Sequence, residues 1–206
     1  MKTPDYWPQA ARELAAHDPV MRKLVRKFRG LTLRSRGNAF QTLARAIVGQ
    51  QISVKAAQSV WNRLAEAVPA LSPPAIARAG PERLRACGLS TNKSLYLHDL
   101  AGHFKSGRLQ PRRWHAMDDE ALIAELTEVK GIGRWTAEMF LIFYMARPDV
   151  LPLADIGLQR AVALHYAEGK PVSMLKIERI ARTWQPWRSV ATWYLWRSLD
   201  PIPVEY

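Results

Sequence analysis

Apolar residues recur at helical spacing along almost the whole chain, and almost no stretch alternates as a half-buried strand would. That periodicity leaves an all-α fold as the expectation. Between 39 and 48, positions 40, 43, 44, 47 and 48 are apolar and fall on one helical face. The next pattern, 54–67, turns Val54, Ala57, Val60, Trp61 and Leu64 inward and is stopped by Pro69 and then Pro73-Pro74. Further helices are expected at 73–79, 81–86 and 91–105. Another begins at Asp118 or Asp119, either of which suits a cap, and runs through Ile123, Leu126 and Val129. The rest of the chain is expected to be helical over 134–146, 156–167, 173–182 and 186–198. One short extended piece is expected at Gly30-Leu31-Thr32-Leu33-Arg34. The Pro/Gly-containing stretches at 30–37 and 147–153 suggest two helical lobes with a cleft between them. Residues 38–147 would form the central lobe, and 1–37 with 148–206 the second.

Charge narrows the partner. The 206 residues carry 30 Lys plus Arg against 18 Asp plus Glu, a formal charge of +12. Such a surplus favours a polyanion, nucleic acid first, over a merely solubilising surface. No 18-residue apolar run is present, so no membrane partner is expected. The single cysteine, Cys87, excludes an internal disulfide framework, a Cys-based zinc site and a Cys-ligated iron–sulfur cluster within one chain. Its apolar neighbours make it a buried structural thiol. His17, His98, His103, His115 and His165 show no metal-ligand spacing. The first ten residues lack the apolar stretch of a secretion signal, which points to a cytoplasmic protein.

The most informative segment is Leu126-Thr127-Glu128-Val129-Lys130-Gly131-Ile132-Gly133-Arg134-Trp135-Thr136-Ala137. An apolar helix ends at Val129, two glycines permit a tight turn, and a new helix starts at once. The whole hairpin would occupy about 120–146. The first N–H groups of the second helix would point outward beside a turn bare of side chains, a geometry suited to a phosphate oxygen. Lys130 and Arg134 add charge there, and Gly131, Gly133 and Thr136 complete the candidate phosphate-binding set.

Asp155 precedes a second helical pattern, where a helix cap is the plain expectation. It also lies 22 residues after Gly133. The two roles are compatible, since a cap's N–H donors fix the direction of the carboxylate. An ionised carboxylate near an anomeric carbon stabilises an oxocarbenium-like transition state and can orient or deprotonate the attacking water. Sugar hydrolases commonly add a second carboxyl as acid for the leaving group. Here Ala154 precedes Asp155 and no second acid stands nearby. A leaving base that already carries positive charge needs none. The chain is also rich in tryptophan, eight in all, and dense in aromatics between Trp184 and Trp196. Most of these rings suit a core, but electron-rich faces also attract a cationic base.

Three separated segments resemble the 3-methyladenine DNA glycosylase II family of the helix-hairpin-helix DNA glycosylase superfamily. They are Ala44-Arg45-Ala46-Ile47-Val48-Gly49-Gln50-Gln51-Ile52-Ser53, the hairpin with Trp135, and Pro186-Trp187-Arg188-Ser189. The resemblance spans roughly 38–200. It implies a monomeric, monofunctional glycosylase of base excision repair, acting on double-stranded DNA. After base flipping, it would hydrolyse the N-glycosidic bond of alkylated, cationic purines such as 3-methyladenine and 7-methylguanine. Two alternatives stay open: the same enzyme class acting on an oxidised purine, uracil or a mismatch, and a non-catalytic DNA-binding module. By position, Asp155 would be the catalytic carboxylate, while Trp135, Met139 and Trp196 would line the base pocket. Gln51, with Gln50 beside it, would serve as the wedge filling the gap left by the flipped base. Some members have tyrosine at Met139, and lyase-type relatives place a lysine at Trp135. No cofactor is implied for the chemistry and no iron–sulfur cluster is expected. A structural Na+ or K+ is implied at the carbonyls of Thr127, Val129 and Ile132. The cellular setting expected is the bacterial cytoplasm, with nucleoid association by function.

Overall fold

The computed structural model of the chain describes residues 3–34 and 38–199. Its regular elements are helical, and no strand occurs among the described residues. In chain order they are α1 (Trp7–His17), α2 (Pro19–Lys27), α3 (Ala39–Gly49), α4 (Val54–Ala67), α5 (Pro73–Ala86) and α6 (Thr91–Ser106). There follow α7 (Pro111–Trp114), α8 (Asp119–Thr127), α9 (Arg134–Phe143), α10 (Ile156–Tyr166), α11 (Met174–Ala181), a 3-10 turn (Arg182–Trp184) and α12 (Arg188–Leu199). The all-α expectation holds.

The chain divides into two compact units, Gly37–Phe140 and Met1–Arg36 with Leu141–Glu205. The second break falls inside α9, between Phe140 and Leu141, before the expected break at 147–153. Part of the other expected boundary, 35–37, lies outside the described residues.

In the 37–140 unit, α6 packs against both α3 and α5, and α3 against α4. Leu43, Ile47, Leu64, Leu97, Leu100 and Trp114 are fully enclosed. Trp114 meets Phe104 and Phe140 edge-on, at centroid distances of 6.2 and 5.4 Å. The expected pair 73–79 and 81–86 appears as α5 broken at Gly80, where φ is 71° and Pro81 restarts the helix. Cys87 is buried, as expected of a structural thiol, and burial pushes its pKa up.

In the other unit, α12 packs on α1, α2 and α10. Helices α1 and α2 were not anticipated, although Pro8 and the Asp18-Pro19 pair are helix-start signals. Asp18 caps α2 through the N–H groups of Val20 and Met21 and also accepts from Tyr166 Oη (2.7 Å) and Trp184 Nε1 (3.1 Å). The expected strand at 30–34 is absent. Gly30, at φ 83°, turns the chain out of α2, and Leu33 anchors an irregular segment by burial.

Candidate active site and nucleic-acid interface

The hairpin is built within the 37–140 unit. Val129 and Ile132 are buried, and the Ile132 N–H closes a turn on the Val129 carbonyl at 3.0 Å. Only Gly131 has a positive φ, 83°, so it alone needs glycine for its backbone. A Cβ on Gly131 would also stand 2.2 Å from Tyr96 Cδ2. Gly133 is different: its backbone is ordinary and a Cβ there would meet nothing within 4 Å. Its carbonyl accepts the N–H of Ala137, in the first turn of α9, at 3.1 Å. Among the described residues, the N–H groups of Gly131 and Gly133 find no protein acceptor. The two glycines therefore keep donors for an anion.

Other hairpin groups are already committed. Asp99 Oδ2 accepts the Lys130 N–H at 2.9 Å, while the Lys130 side chain is exposed. Arg134, expected in the phosphate set, is ion-paired within the protein. Its guanidinium donates in a fork to both oxygens of Glu120 and also to Glu138 Oε1 at 3.0 Å. The Glu120 hydrogen bond raises its pKa further still. A phosphate there would compete with Glu120 and Glu138 for that cation. Thr136 is buried behind the turn, so its side chain faces the unit's interior. Gln50 is likewise occupied: its Nε2 donates to the Gly131 carbonyl at 2.8 Å. Gln51 is exposed at φ 56°, an uncommon conformation for a non-glycine residue. Lys93 holds the end of α3, its Nζ donating to the carbonyls of Val48 (2.8 Å) and Gln50 (2.7 Å). Sequence reasoning passed over Lys93, Tyr96 and Asp99, because nothing in the pattern of α6 shows which loops it meets.

The carboxylate centre is built within the other unit. Asp155 is buried and caps α10, its Oδ1 accepting the Leu158 N–H at 2.6 Å. Trp196 Nε1 donates to the same oxygen at 2.7 Å. The indole of Trp196 stacks on Phe143 at 5.7 Å and 11°. Gly157 permits this approach, since a Cβ there would stand 3.0 Å from Asp155 Oδ1 and 3.0 Å from Trp196 Cδ1. Phe143 and Gly157 were not singled out from sequence. A glycine two residues after a candidate carboxylate, at the start of a helix, was the available signal.

The loop leading to Asp155 is clamped from α12. Arg188 donates to both carboxylate oxygens of Asp149 (2.8 and 2.9 Å), and Ser189 Oγ accepts the Val150 N–H at 2.9 Å. The Pro186–Ser189 segment thus acts as a fastener for residues 148–150. Trp184 and Trp193 are core residues, and Trp187 stacks on Tyr6 at 5.6 Å. Of the C-terminal tryptophans, Trp196 alone touches Asp155 among the described hydrogen bonds. On α9, Trp135 (38 % exposed) and the buried Met139 lie one turn apart on one stripe, which Phe143 continues. No cluster of His, Cys, Asp or Glu among the described residues could hold a metal ion.

Comparison with known proteins agrees with this architecture. Residues 44–186 match the model of the HhH-GPD superfamily base excision DNA repair protein. The chain is 35 % identical over 182 residues to DNA-3-methyladenine glycosylase 1 of Schizosaccharomyces pombe, covering 85 % of this chain and 79 % of that one. A crystal structure of a DNA-3-methyladenine glycosidase from Bacillus halodurans superposes with a TM-score of 0.87 at 32 % identity, covering 97 % of this chain and 93 % of that one. The 3-methyladenine DNA glycosylase of Schizosaccharomyces pombe in complex with abasic DNA gives 0.78 at 30 % identity, covering 96 % and 98 %. The chain belongs to the HhH-GPD superfamily of base excision DNA repair proteins, in its 3-methyladenine DNA glycosylase branch.

Proposed function

We infer that this protein is a monofunctional DNA glycosylase that hydrolyses the N-glycosidic bond of alkylated, cationic purines in duplex DNA, 3-methyladenine and 7-methylguanine among them. The observation that carries the reading is Asp155, a buried carboxylate fixed at the N-terminus of α10 by a backbone N–H at 2.6 Å and the Trp196 indole N–H at 2.7 Å. Both donors hold its direction before substrate arrives, so little reorganisation is needed as charge develops on the sugar. The carboxylate stabilises the oxocarbenium-like sugar and orients the water that attacks it. The departing alkylpurine leaves as a neutral base because it starts cationic. The aromatic faces of Trp135 and Trp196 suit such a base, each contact contributing about 0.5–2 kcal/mol. With tryptophan in place of a lysine at 135, no amine stands there to form a Schiff base, and the product is an abasic site.

The hairpin turn at Gly131 and Gly133 would bind a backbone phosphate, with Lys130 beside it, and exposed Gln51 would enter the duplex as the base leaves. A Na+ or K+ ion would be held by the carbonyls of Thr127, Val129 and Ile132, of which Thr127 closes the electronegative C-terminal end of α8. Exchanging K+ and Na+ for a bulky tetraalkylammonium at constant ionic strength should then lower duplex affinity; an unchanged dissociation constant would remove the ion from the account.

The decisive test measures free bases released from methylated DNA by the wild type and by Asp155→Asn. Release of 3-methyladenine or 7-methylguanine is expected from the wild type alone, with abasic-duplex affinity kept in the variant. Undiminished turnover by Asp155→Asn would overturn the role of Asp155. Release only from oxidised, uracil or mismatched duplexes would move the substrate, and binding with no release at all would leave a non-catalytic module.

A further inference from the structure

Lys93, Tyr96 and Asp99 follow one another at three-residue spacing along α6, so they run along one side of that helix. Each holds a different piece of the 37–140 unit. Lys93 Nζ binds the carbonyls of Val48 and Gln50, where α3 ends. The Tyr96 ring lies against Gly131 so closely that no Cβ would fit between them. Asp99 receives the Lys130 N–H. Gln50 closes the ring by donating across 81 residues of sequence to the Gly131 carbonyl. Two loops are therefore fastened to each other and to the same helix.

The ring leaves Gln51 projecting. Its neighbour Gln50 is held at both ends, by Lys93 on its carbonyl and by Gly131 on its side chain. Gln51 then takes φ 56°, a conformation that persists only where the surroundings impose it. Gln51 is exposed, and Ile52 after it is 40 % exposed. Pushing a side chain into a duplex opposes base stacking. That push has to be anchored on the phosphate grip, because a loop free to slide past the hairpin would yield before the bases unstack.

We propose that the Lys93–Tyr96–Asp99 side of α6 is a positioning device that sets the register between the Gln51 loop and the hairpin, so that wedge insertion and phosphate gripping act as one rigid step. None of the three touches substrate; they act through Gln50, Gln51 and the hairpin backbone. The proposal rests on the glycosylase reading above.

The test uses Lys93→Met, which keeps the alkyl stem and removes the donors, and Lys93→Arg, which restores donors. Three quantities are measured on the full chain: the fluorescence rise of 2-aminopurine beside an abasic analogue, single-turnover release of 7-methylguanine, and the affinity and salt slope on undamaged duplex. Lys93→Met should lose the fluorescence rise and slow release by about tenfold, the order expected for lost charge-assisted hydrogen bonds. Its affinity and salt slope on undamaged duplex should stay at the wild-type values, and Lys93→Arg should recover both losses. Gln50→Leu, which opens the ring from its other side, should behave like Lys93→Met and add nothing when combined with it. It also replaces Lys93→Met should that variant not fold. A wild-type fluorescence rise and rate in Lys93→Met overturn the proposal, as does a parallel loss of undamaged-duplex affinity, which would make the lysine merely structural. A wild type that releases no base fails the glycosylase reading itself, whereas an active wild type with indifferent variants fails only the positioning role.

Discussion

Alanine at Gly131 and at Gly133 should have opposite consequences, although the two glycines stand one residue apart in the same turn. At Gly131 the backbone sits at φ 83°, which costs an L-residue about 1–2 kcal/mol. The new Cβ would fall 2.2–2.7 Å from Tyr96 Cδ2, Cγ and Cε2, and these ring atoms lie too near the stem to swing aside. Overpacking of that kind costs about 1–3 kcal/mol. Together the two effects amount to roughly 2–5 kcal/mol, a large share of a typical total of about 5–15 kcal/mol. For a chain of this length that lowers the melting temperature by about 4–20 °C. At Gly133 the backbone is ordinary and the Cβ meets nothing within 4 Å. About 0.5–1 kcal/mol lost at the helix start is offset by about 0.4–1 kcal/mol from a less flexible unfolded chain. Gly133→Ala should therefore melt within about 2 °C of the wild type, yet bind duplex DNA more weakly because its methyl occupies the path of a phosphate. Thermal melts monitored by circular dichroism, paired with duplex titrations, separate the two. The reasoning is refuted if Gly131→Ala melts with the wild type, or if Gly133→Ala melts as low as Gly131→Ala. A cycle with Tyr96→Ala refines it, since removing the ring should recover the packing share and leave the backbone share.

Two further expectations bear on the same sites. Gly157→Ala would press a methyl against both Asp155 Oδ1 and Trp196 Cδ1 at 3.0 Å, so single-turnover base release should fall about tenfold or more while abasic-duplex affinity holds; an unchanged rate would mean the Trp196–Asp155 hydrogen bond does not orient the carboxylate. Lys130→Gln should reduce the salt slope of duplex binding by about one, whereas Arg134→Gln should change it far less, because Glu120 and Glu138 already neutralise that guanidinium. Equal slope changes in the two variants would return Arg134 to the phosphate set.

The helices and the hairpin were legible in one dimension because their causes are local. Apolar spacing of three and four residues marks a helical face wherever it occurs, and a Gly-Ile-Gly turn needs no distant partner to bend. Asp155 was legible for the same reason: a cap lies beside the helix it caps, and the structure shows it accepting the Leu158 N–H. Helices α1 and α2 escaped even though Pro8 and Asp18-Pro19 carried local signals. Tertiary structure alone decided which groups are already spent. Arg134 reads as a phosphate contact in sequence, and only the fold shows its pairing with Glu120, 14 residues away. Gln50 reads as a neighbour of the wedge in sequence, and only the fold shows its hydrogen bond to Gly131, 81 residues away. Trp196 is placed in the base pocket by resemblance, but only the fold shows its N–H on Asp155, 41 residues back. Sequence by itself determined which segments coil, where they stop and which carboxylate caps the tenth helix, since those depend on neighbours in the chain. Which of the charged and amide side chains are paired within the protein was decided only by packing. A hydrogen bond or ion pair between distant residues depends on where the helices bring them, and no periodicity records that.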